Sequence, residues 1–316
     1  MKNKYKVLIT LAGLTAAAIH GINRLAFSFT TKKNLLSKTD ISYYEWRFGK
    51  IAYTVKGTGS PLLLVHDLIP GSSQFEYHRI IDALSKKHTV YAIDLIGYGN
   101  SDKANLTYTN FLFTQLIGDF IKTVIGKKTD VIASGDSSSV ILMCSHNEPE
   151  LINRMAFINP QSLYQSNQIP SKQTRTLKFF IEMPLIGTML FNILTSDYVI
   201  KNNFEKDYFF DRSLIDNETI WSYVEAAHLG DYNAKYSVAS YVGKYTNTNV
   251  IHALKETNNS IMLIGGKEVP SINTNMDNYQ YYNPSVEIGY IEHSKTLPQL
   301  ERPEQLLETL SIYLDN

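Results

Sequence analysis

The sequence of 316 residues is long enough for one large α/β domain with an insertion, or for two domains. Its hydrophobic fraction of 44% suffices for a large core and argues against disorder. The 30 basic and 30 acidic residues give zero formal net charge, so the composition does not favour nucleic-acid binding. A single cysteine, Cys144, excludes an intramolecular disulfide and a cysteine-based metal site.

The N-terminal segment has the pattern of an export or anchor signal. Lys2, Lys4 and Lys6 precede an uncharged stretch, Val7 to Asn23, whose length of about 17 residues is the lower limit for crossing a bilayer. Ala16–Ala18 would support cleavage, but apolar residues continue beyond these alanines. We therefore predict an uncleaved signal anchor, with a cleaved signal peptide and a soluble amphipathic helix as alternatives.

This prediction places residues 1–30 in a transmembrane helix and the rest of the chain in a separate domain. The basic residues before the apolar stretch indicate a cytoplasmic N-terminus, because positive charge is retained on that side. We expect a membrane-anchored protein whose domain, residues 42–316, is extracytoplasmic.

The domain begins with a β-hairpin from Ser42 to Val55, which turns at Gly49. Short apolar runs follow, and each is typical of a buried strand. Their sequences are PLLLVH (61–66), HTVYAID (88–94), VIA (131–133), RMAFIN (154–159), SIMLIG (260–265) and VEIGYI (286–291).

Helical segments separate these strands. Helical patterns occupy Tyr77–Lys86, Tyr108–Ile125, Val140–Cys144 and Pro303–Leu314. Alternating strands and helices predict an α/β fold with a mostly parallel twisted sheet and helices on both faces. Residues 161–249 contain no buried strand run and are rich in Tyr, Phe, Asn and Asp, so we predict a helical lid inserted between two strands.

The segment Thr129 to Val140, TDVIASGDSSSV, connects a buried strand to a helix through small residues. A sharp strand–turn–helix connection is where many hydrolases hold their nucleophile, in the pattern Gly-x-Ser-x-Gly. Here Ala133-Ser134-Gly135-Asp136-Ser137 stands in that register, so Gly135 occupies the nucleophile position.

Five motifs occur in the order in which the α/β-hydrolase superfamily carries them, and the chain resembles that superfamily from about Glu45 to its C-terminus. Four are similar to loops or turns that carry active-site residues or lie near them in that fold, and EPELI resembles the P-E-x-V element before the strand that follows the elbow helix. The five motifs are LLLVHD (62–67), DLIGYGNSD (94–102), EPELI (148–152), GGKE (265–268) and LPQLERP (297–303).

The resemblance assigns the three triad positions to Gly135, Glu268 and Thr296. Pro149 supports this register, because it follows Gly135 at the interval usual in the family. Glycine has no nucleophilic group and threonine is no base at neutral pH, so the triad is degenerate. The resemblance also implies an oxyanion-hole region formed by His66, Asp67, Leu68 and Asp136.

A displaced catalytic set is the alternative. A two-residue shift of the turn makes Ser137 the nucleophile, with His293 as the base and Glu268 as the acid. The chain also offers Asp136 as a carboxylate nucleophile, and His66 and His228 as bases.

Two functions remain open from the sequence. One is a membrane-anchored carboxylic-ester or thioester hydrolase of esterase-like type that uses the displaced set. The other is a catalytically inactive relative that binds a small apolar or acyl-type ligand or acts as a scaffold. The sequence indicates no cofactor, no metal site and no nucleic-acid partner.

Overall fold

The computed structural model describes residues 2–37 and 40–314, with side chains from residue 4 onward. The predicted domain limits at residues 1 and 316 lie outside these ranges. An eight-stranded sheet forms the centre of the domain, in the order β1-β2-β4-β3-β5-β6-β7-β8. The strands are β1 (Ser42–Trp46), β2 (Gly49–Lys56), β3 (Ser60–Val65), β4 (His88–Ile93), β5 (Thr129–Ser134), β6 (Ile152–Ile158), β7 (Ser260–Gly266) and β8 (Glu287–Ile291).

Strands β3 to β8 are parallel, and the β1–β2 hairpin adds an antiparallel edge. The strand order reverses around β3 and β5, and the carboxyl ends of the strands near such a switch point are where ligands bind in open α/β sheets. The predicted strands and the mostly parallel sheet are confirmed.

Fourteen α-helices occur in the described residues. Those before β6 are α1 (Lys2–Thr30), α2 (Ile81–Leu84), α3 (Asn110–Phe120) and α4 (Ser137–Asn147). Those between β6 and β7 are α5 (Leu163–Ser166), α6 (Lys172–Glu182), α7 (Ile186–Leu194), α8 (Asp197–Asn203), α9 (Asn217–His228), α10 (Lys235–Val242) and α11 (Ile251–Glu256). The remainder are α12 (Ile272–Tyr282), α13 (Pro298–Glu301) and α14 (Pro303–Leu314).

Two helical regions differ from the sequence prediction. The helix expected over Tyr77–Lys86 is reduced to α2, because a 3₁₀ turn over Gln74–Tyr77 precedes it. Helix α12 was not predicted, since its sequence INTNMDNYQYY is rich in Asn and Tyr, which are poor helix formers. Packing of Ile272 and Met276 into the main core holds it in place.

Apolar side chains cover both faces of the sheet. One core lies between the sheet and α3, α4, α11 and α12, and the other lies beneath α2 and α14. A third cluster joins residues 161–249, here named the helical insertion, to the loop after β3 and to the loop after β8. Phe204, Tyr223 and Leu297 are buried in it.

Candidate functional site

The turn between β5 and α4 consists of Gly135 and Asp136. Gly135 has φ +54°, a left-handed conformation that favours glycine, and its N–H donates to the carbonyl of Ile158 at 2.9 Å. Helix α4 begins at the next residue, Ser137. Gly135 therefore lies at the tip of the turn, where the family carries its nucleophile.

The side chain of Asp67 lies against this glycine because of the register of the sheet. Val65 of β3 pairs with Ala133 of β5, so the residues two positions later, Asp67 and Gly135, leave the two strands side by side. A Cβ atom added to Gly135 would lie 2.0 Å from Oδ2 and 2.1 Å from Cγ of Asp67. The carboxylate thus fills the volume that a side chain at position 135 would need.

The same carboxylate accepts two main-chain hydrogen bonds. Its Oδ1 atom receives the N–H of Leu68 at 2.6 Å and the N–H of Asp136 at 2.8 Å. In α/β-hydrolases the oxyanion hole uses the N–H of the residue after the nucleophile and an N–H from the loop after β3. Both donors are present here, and both point at the carboxylate of Asp67.

The serines that follow the turn are buried, and their hydroxyls are occupied. Ser137 Oγ donates to the carbonyl of His66 at 2.5 Å. Ser138 and Ser139 each donate at 2.7 Å to a carbonyl three residues earlier. Ser137 has no exposed surface, so its hydroxyl is part of the packing between α4 and the loop after β3.

Two of the histidines considered as bases have both ring nitrogens engaged. His66 accepts the N–H of Leu95 at Nε2, 3.0 Å, and its Nδ1 lies 2.6 Å from the carbonyl of Asp67, so Nδ1 carries the proton. His228 contacts the carbonyl of Val224 through Nδ1 and the hydroxyl of Thr195 through Nε2. Burial lowers the pKa of His228. Both histidines hold main-chain or helix geometry in place.

The proposed base and acid of the displaced set form no hydrogen bond with Ser137 among the described residues. His293 is exposed, and its ring stacks on Phe210 at 5.8 Å. Glu268 is half-buried, and its carboxylate forms no hydrogen bond or ion pair with the described residues. No hydrogen bond joins the side chains of Ser137, His293 and Glu268 in the part of the chain that the structure describes. Thr296, at the family histidine position, donates to the carbonyl of Asp207 at 2.8 Å.

A buried carboxylate that the sequence reasoning missed, Glu76, lies behind Asp67. Its Oε2 accepts the hydroxyl of Ser134 at 2.6 Å and the N–H of Asp67 at 3.2 Å, while Oε1 has no hydrogen-bond partner among the described residues. Glu76 belongs to a 3₁₀ turn, and its acidic side chain gives no sequence signal that distinguishes it from a solvent-exposed residue. It ties the loop after β3 to the end of β5.

The two aspartates at the turn have raised pKa values. Burial, followed by the negative charges of Asp136 and Glu76, raises the pKa of Asp67 well above its usual range, against the effect of its two N–H donors. Burial raises the pKa of Asp136 to about 7. The two carboxyls titrate as a pair, so the site holds a proton under mildly acidic conditions.

Tyrosines surround these carboxyls. Burial, and after it the nearby acids, raises the pKa of four phenols, which therefore stay protonated at neutral pH. They are Tyr98, Tyr208, Tyr223 and Tyr241. Three of them, Tyr208, Tyr223 and Tyr241, come from the helical insertion.

Glu301 fastens the insertion to the loop that follows β8. This buried carboxylate accepts the N–H groups of Phe210 and Asp211 at 2.7 and 2.8 Å through Oε1, and the N–H of Lys295 at 2.9 Å through Oε2. Three charge-assisted hydrogen bonds make a firm connection. The insertion is therefore joined to the rest of the domain by this carboxylate as well as by apolar packing.

Two other features could hold a ligand. His146, His252 and Glu256 bring their donor atoms within 4.8 Å of one another at the far end of α4, a candidate metal cluster that the sequence did not indicate. A cavity of about 520 Å³ lies beside the 3₁₀ turn and is lined by apolar and polar groups that include Leu35, Phe75 and Ile81. Its volume is in the range of small-molecule sites.

Comparisons with known proteins identify the fold. No protein-family model matches the chain. A 2-hydroxy-6-oxo-6-(2'-aminophenyl)hexa-2,4-dienoic acid hydrolase of Metapseudomonas resinovorans is 26% identical over 113 residues, 35% of this chain and 39% of the relative. The uncharacterized hydrolase YugF of Bacillus subtilis is 25% identical over 163 residues, 51% of this chain and 56% of the relative. The chain thus spans between two fifths and slightly more than half of these curated relatives.

Solved structures match over a larger part of the chain. The epoxide hydrolase CorEH superposes with a TM-score of 0.70 at 18% identity, and covers 87% of this chain and 98% of its own. A haloalkane dehalogenase DbeA variant from Bradyrhizobium elkanii superposes with a TM-score of 0.69 at 14% identity, and covers 87% and 96%. Its sheet order, its strand–turn–helix connection and these neighbours show that the chain has the α/β-hydrolase fold.

Proposed function

We propose that this chain is a membrane-anchored α/β-hydrolase-fold protein that binds a small apolar or acyl-type ligand, or acts as a scaffold, and does not carry out serine-type acyl transfer. The observation that carries the proposal is the position of the Asp67 carboxylate. It accepts both N–H groups of the oxyanion hole and fills the space beside Gly135.

Acyl transfer needs a nucleophile, a base and an oxyanion hole that is free to receive developing negative charge. The turn presents glycine, the family base position presents Thr296, and a carboxylate already lies in the hole. A substrate carbonyl entering this hole would meet a buried acid in place of two free donors. The nucleophile, the base and the free oxyanion hole are therefore each missing because of the residue at that position.

The competing proposal is an ester or thioester hydrolase that works through Ser137, His293 and Glu268. It requires the Ser137 hydroxyl to leave the carbonyl of His66 and the exposed His293 ring to move in from Phe210. A fluorophosphonate probe separates the two proposals. We expect no labelling of the wild type, whereas labelling that is lost in Ser137→Ala would establish the hydrolase.

A ligand in this proposal would occupy the 520 Å³ cavity rather than the turn. The test is a thermal-shift measurement with a series of fatty acids and their esters, made together with an assay for ester turnover. We expect stabilisation without turnover, and we expect Ile81→Trp, which fills the cavity, to abolish the stabilisation. Stabilisation that survives Ile81→Trp would place the ligand elsewhere.

Helix α1 supports the membrane part of the proposal. The stretch Lys4–Thr30 is long and apolar enough to cross a bilayer, with a mean hydropathy of 1.4 and with none of its most apolar 18-residue window buried. A membrane anchor and a signal sequence share these properties, and the apolar residues beyond Ala16–Ala18 favour the anchor. Retention of the intact N-terminus on the mature protein, measured by mass spectrometry of the membrane fraction, tests this choice.

A further inference from the structure

The C-terminal part of α1 is attached to the helical insertion by specific contacts. The amide of Asn23 donates to the carbonyl of Leu185 at 3.0 Å and accepts from the amide of Asn192 at 3.0 Å. Phe27 is buried and stacks on Phe191. Glu225 accepts the N–H groups of the two leucines that follow the helix. The insertion and α1 therefore form one unit, and the position of one fixes that of the other.

An apolar groove runs between α1 and the corner that joins α6 to α7. Its volume is about 430 Å³. One wall is α1 from Leu8 to Ile19, and the other wall is Leu185 and Ile186 at the corner. The corner thus lies beside the middle of the apolar stretch of α1 that could cross a membrane, and the groove separates the two.

The length of α1 limits where a bilayer that it crosses can lie relative to the corner. Tyr5 to Ile22 extends about 27 Å at 1.5 Å per residue, which is close to the ~30 Å hydrocarbon thickness of a bilayer. A bilayer that covers this stretch must reach the level of Ile22. The corner lies beside residues 8–19, so the same bilayer covers the corner as well.

The corner itself has the surface that such a position requires. Helices α6 and α7 together are long and apolar enough to pass as a span, but they are bent by 106°. Their outer faces expose large apolar side chains, which are Leu177, Phe179, Phe180, Ile186, Ile193 and Leu194. Six large apolar side chains exposed within two consecutive helices are more than scattered surface residues, and a concentration of this kind is typical of an interaction site.

Polar groups border the groove where it opens toward the domain. A second cavity of about 270 Å³ adjoins it at Leu185 and is lined by His20, Arg24 and Lys235 among other residues. Lys235 is buried and binds the carbonyl of Met183, whereas Arg24 is exposed. An exposed arginine next to an apolar surface is typical of the headgroup level of a bilayer, where long side chains extend to the interface.

We infer that the corner, residues 177–194, inserts into the bilayer beside α1, so that the partner of this surface is a lipid membrane and an acyl chain fills the groove. This inference rests on the proposed anchoring by α1. The insertion would then be held against the membrane.

Single cysteines in the full-length chain, reconstituted in liposomes, test the inference. Cys144 is buried and burial raises the pKa of its thiol to about 12, so a thiol-reactive fluorophore should not label the wild type. The three variants are Leu11→Cys in α1, Phe180→Cys at the corner and Tyr281→Cys on α12. Tyr281 is 79% exposed and serves as the control outside the corner.

Quenching by spin-labelled lipid tails reports the depth of each fluorophore. We expect strong quenching at positions 11 and 180 and none at position 281. Quenching at position 11 without quenching at position 180 would overturn the inference and leave the anchoring intact. If position 11 were not quenched either, the proposed anchoring would fail first, and the inference would fail with it.

Discussion

The site at the end of β5 has two halves that differ, one made of main-chain N–H donors and the other of the nucleophile and base positions. The oxyanion half keeps its form, since the N–H groups of Leu68 and Asp136 converge on one atom at 2.6 and 2.8 Å. The nucleophile half has Gly135 and Thr296 at the two positions that the resemblance assigns to the nucleophile and the base. The main-chain half follows from strand register and turn geometry, whereas the side-chain half depends on individual residues. The fold thus keeps two converging N–H donors although the positions that the resemblance assigns to the nucleophile and the base hold glycine and threonine.

Asp67 links the two halves. Its carboxylate takes the place of a substrate oxyanion at the N–H groups and takes the place of a nucleophile side chain beside Gly135. In this chain, a glycine at position 67 would leave both spaces empty. Asp67 and Gly135 therefore depend on each other, because the carboxylate fits only where position 135 has no side chain.

Rebuilding the nucleophile half should have the largest effect. The triple variant Asp67→Gly, Gly135→Ser, Thr296→His clears the oxyanion hole and supplies a nucleophile and a base. We expect a fluorophosphonate probe to label position 135 in this variant and not to label the wild type. The matched control keeps Asp67 and carries only the other two changes. It should remain unlabelled because the new Cβ would overlap the carboxylate. Equal labelling of both variants would show that Asp67 does not block the site.

Gly135→Ala should destabilise the protein strongly. The positive φ and the overlap with Asp67 together predict a loss of about 2–5 kcal/mol in the free energy of unfolding. Gly126→Ala is the control, since Gly126 has φ +69° but no atom near its missing Cβ. Urea denaturation should show a smaller loss there, and Asp67→Gly should remove part of the loss at position 135. Equal losses at the two glycines would mean that Asp67 does not fill the space.

The acidic pair should make stability depend on pH. The pKa of Asp136 is about 7 in the folded chain, while an unfolded aspartate has a pKa of about 3.9. The folded state keeps a proton that the unfolded state has released, so stability falls as the pH rises from about 4 to about 7. We expect Asp136→Asn to reduce this loss in the free energy of unfolding by on the order of 1–2 kcal/mol. Glu308→Gln, which changes an exposed carboxyl, should leave the loss unchanged. An unchanged slope in Asp136→Asn would contradict the raised pKa.

Ser137→Ala should have the smallest effect. It removes the hydrogen bond to the carbonyl of His66 at the start of α4, and one such bond contributes about 0.5–1.5 kcal/mol. Chemical denaturation should show this modest loss, with ligand binding unchanged. A large loss of ester turnover together with wild-type stability would instead identify Ser137 as a nucleophile.

The sequence predicts the fold well because its signals are local. Apolar runs such as PLLLVH and SIMLIG define strands, and the strand–turn–helix pattern places Gly135 in the family register. It predicts the state of the site poorly because that state is a tertiary property. Asp67 and Gly135 are 68 positions apart, and only the pairing of Val65 with Ala133 brings them together. Glu76, His146 and His252 give no local signal that they converge with other ionisable groups.

Acetate binding by Asp67→Gly tests the central claim most directly. Removing the carboxylate leaves the N–H groups of Leu68 and Asp136 without their acceptor, and acetate should replace it. We predict that acetate raises the melting temperature of Asp67→Gly above that in chloride of equal ionic strength. It should not do so for the wild type or for Asp67→Asn, whose amide oxygen can still accept both bonds. The same response to acetate in all three proteins would contradict the claim that Asp67 fills the oxyanion hole.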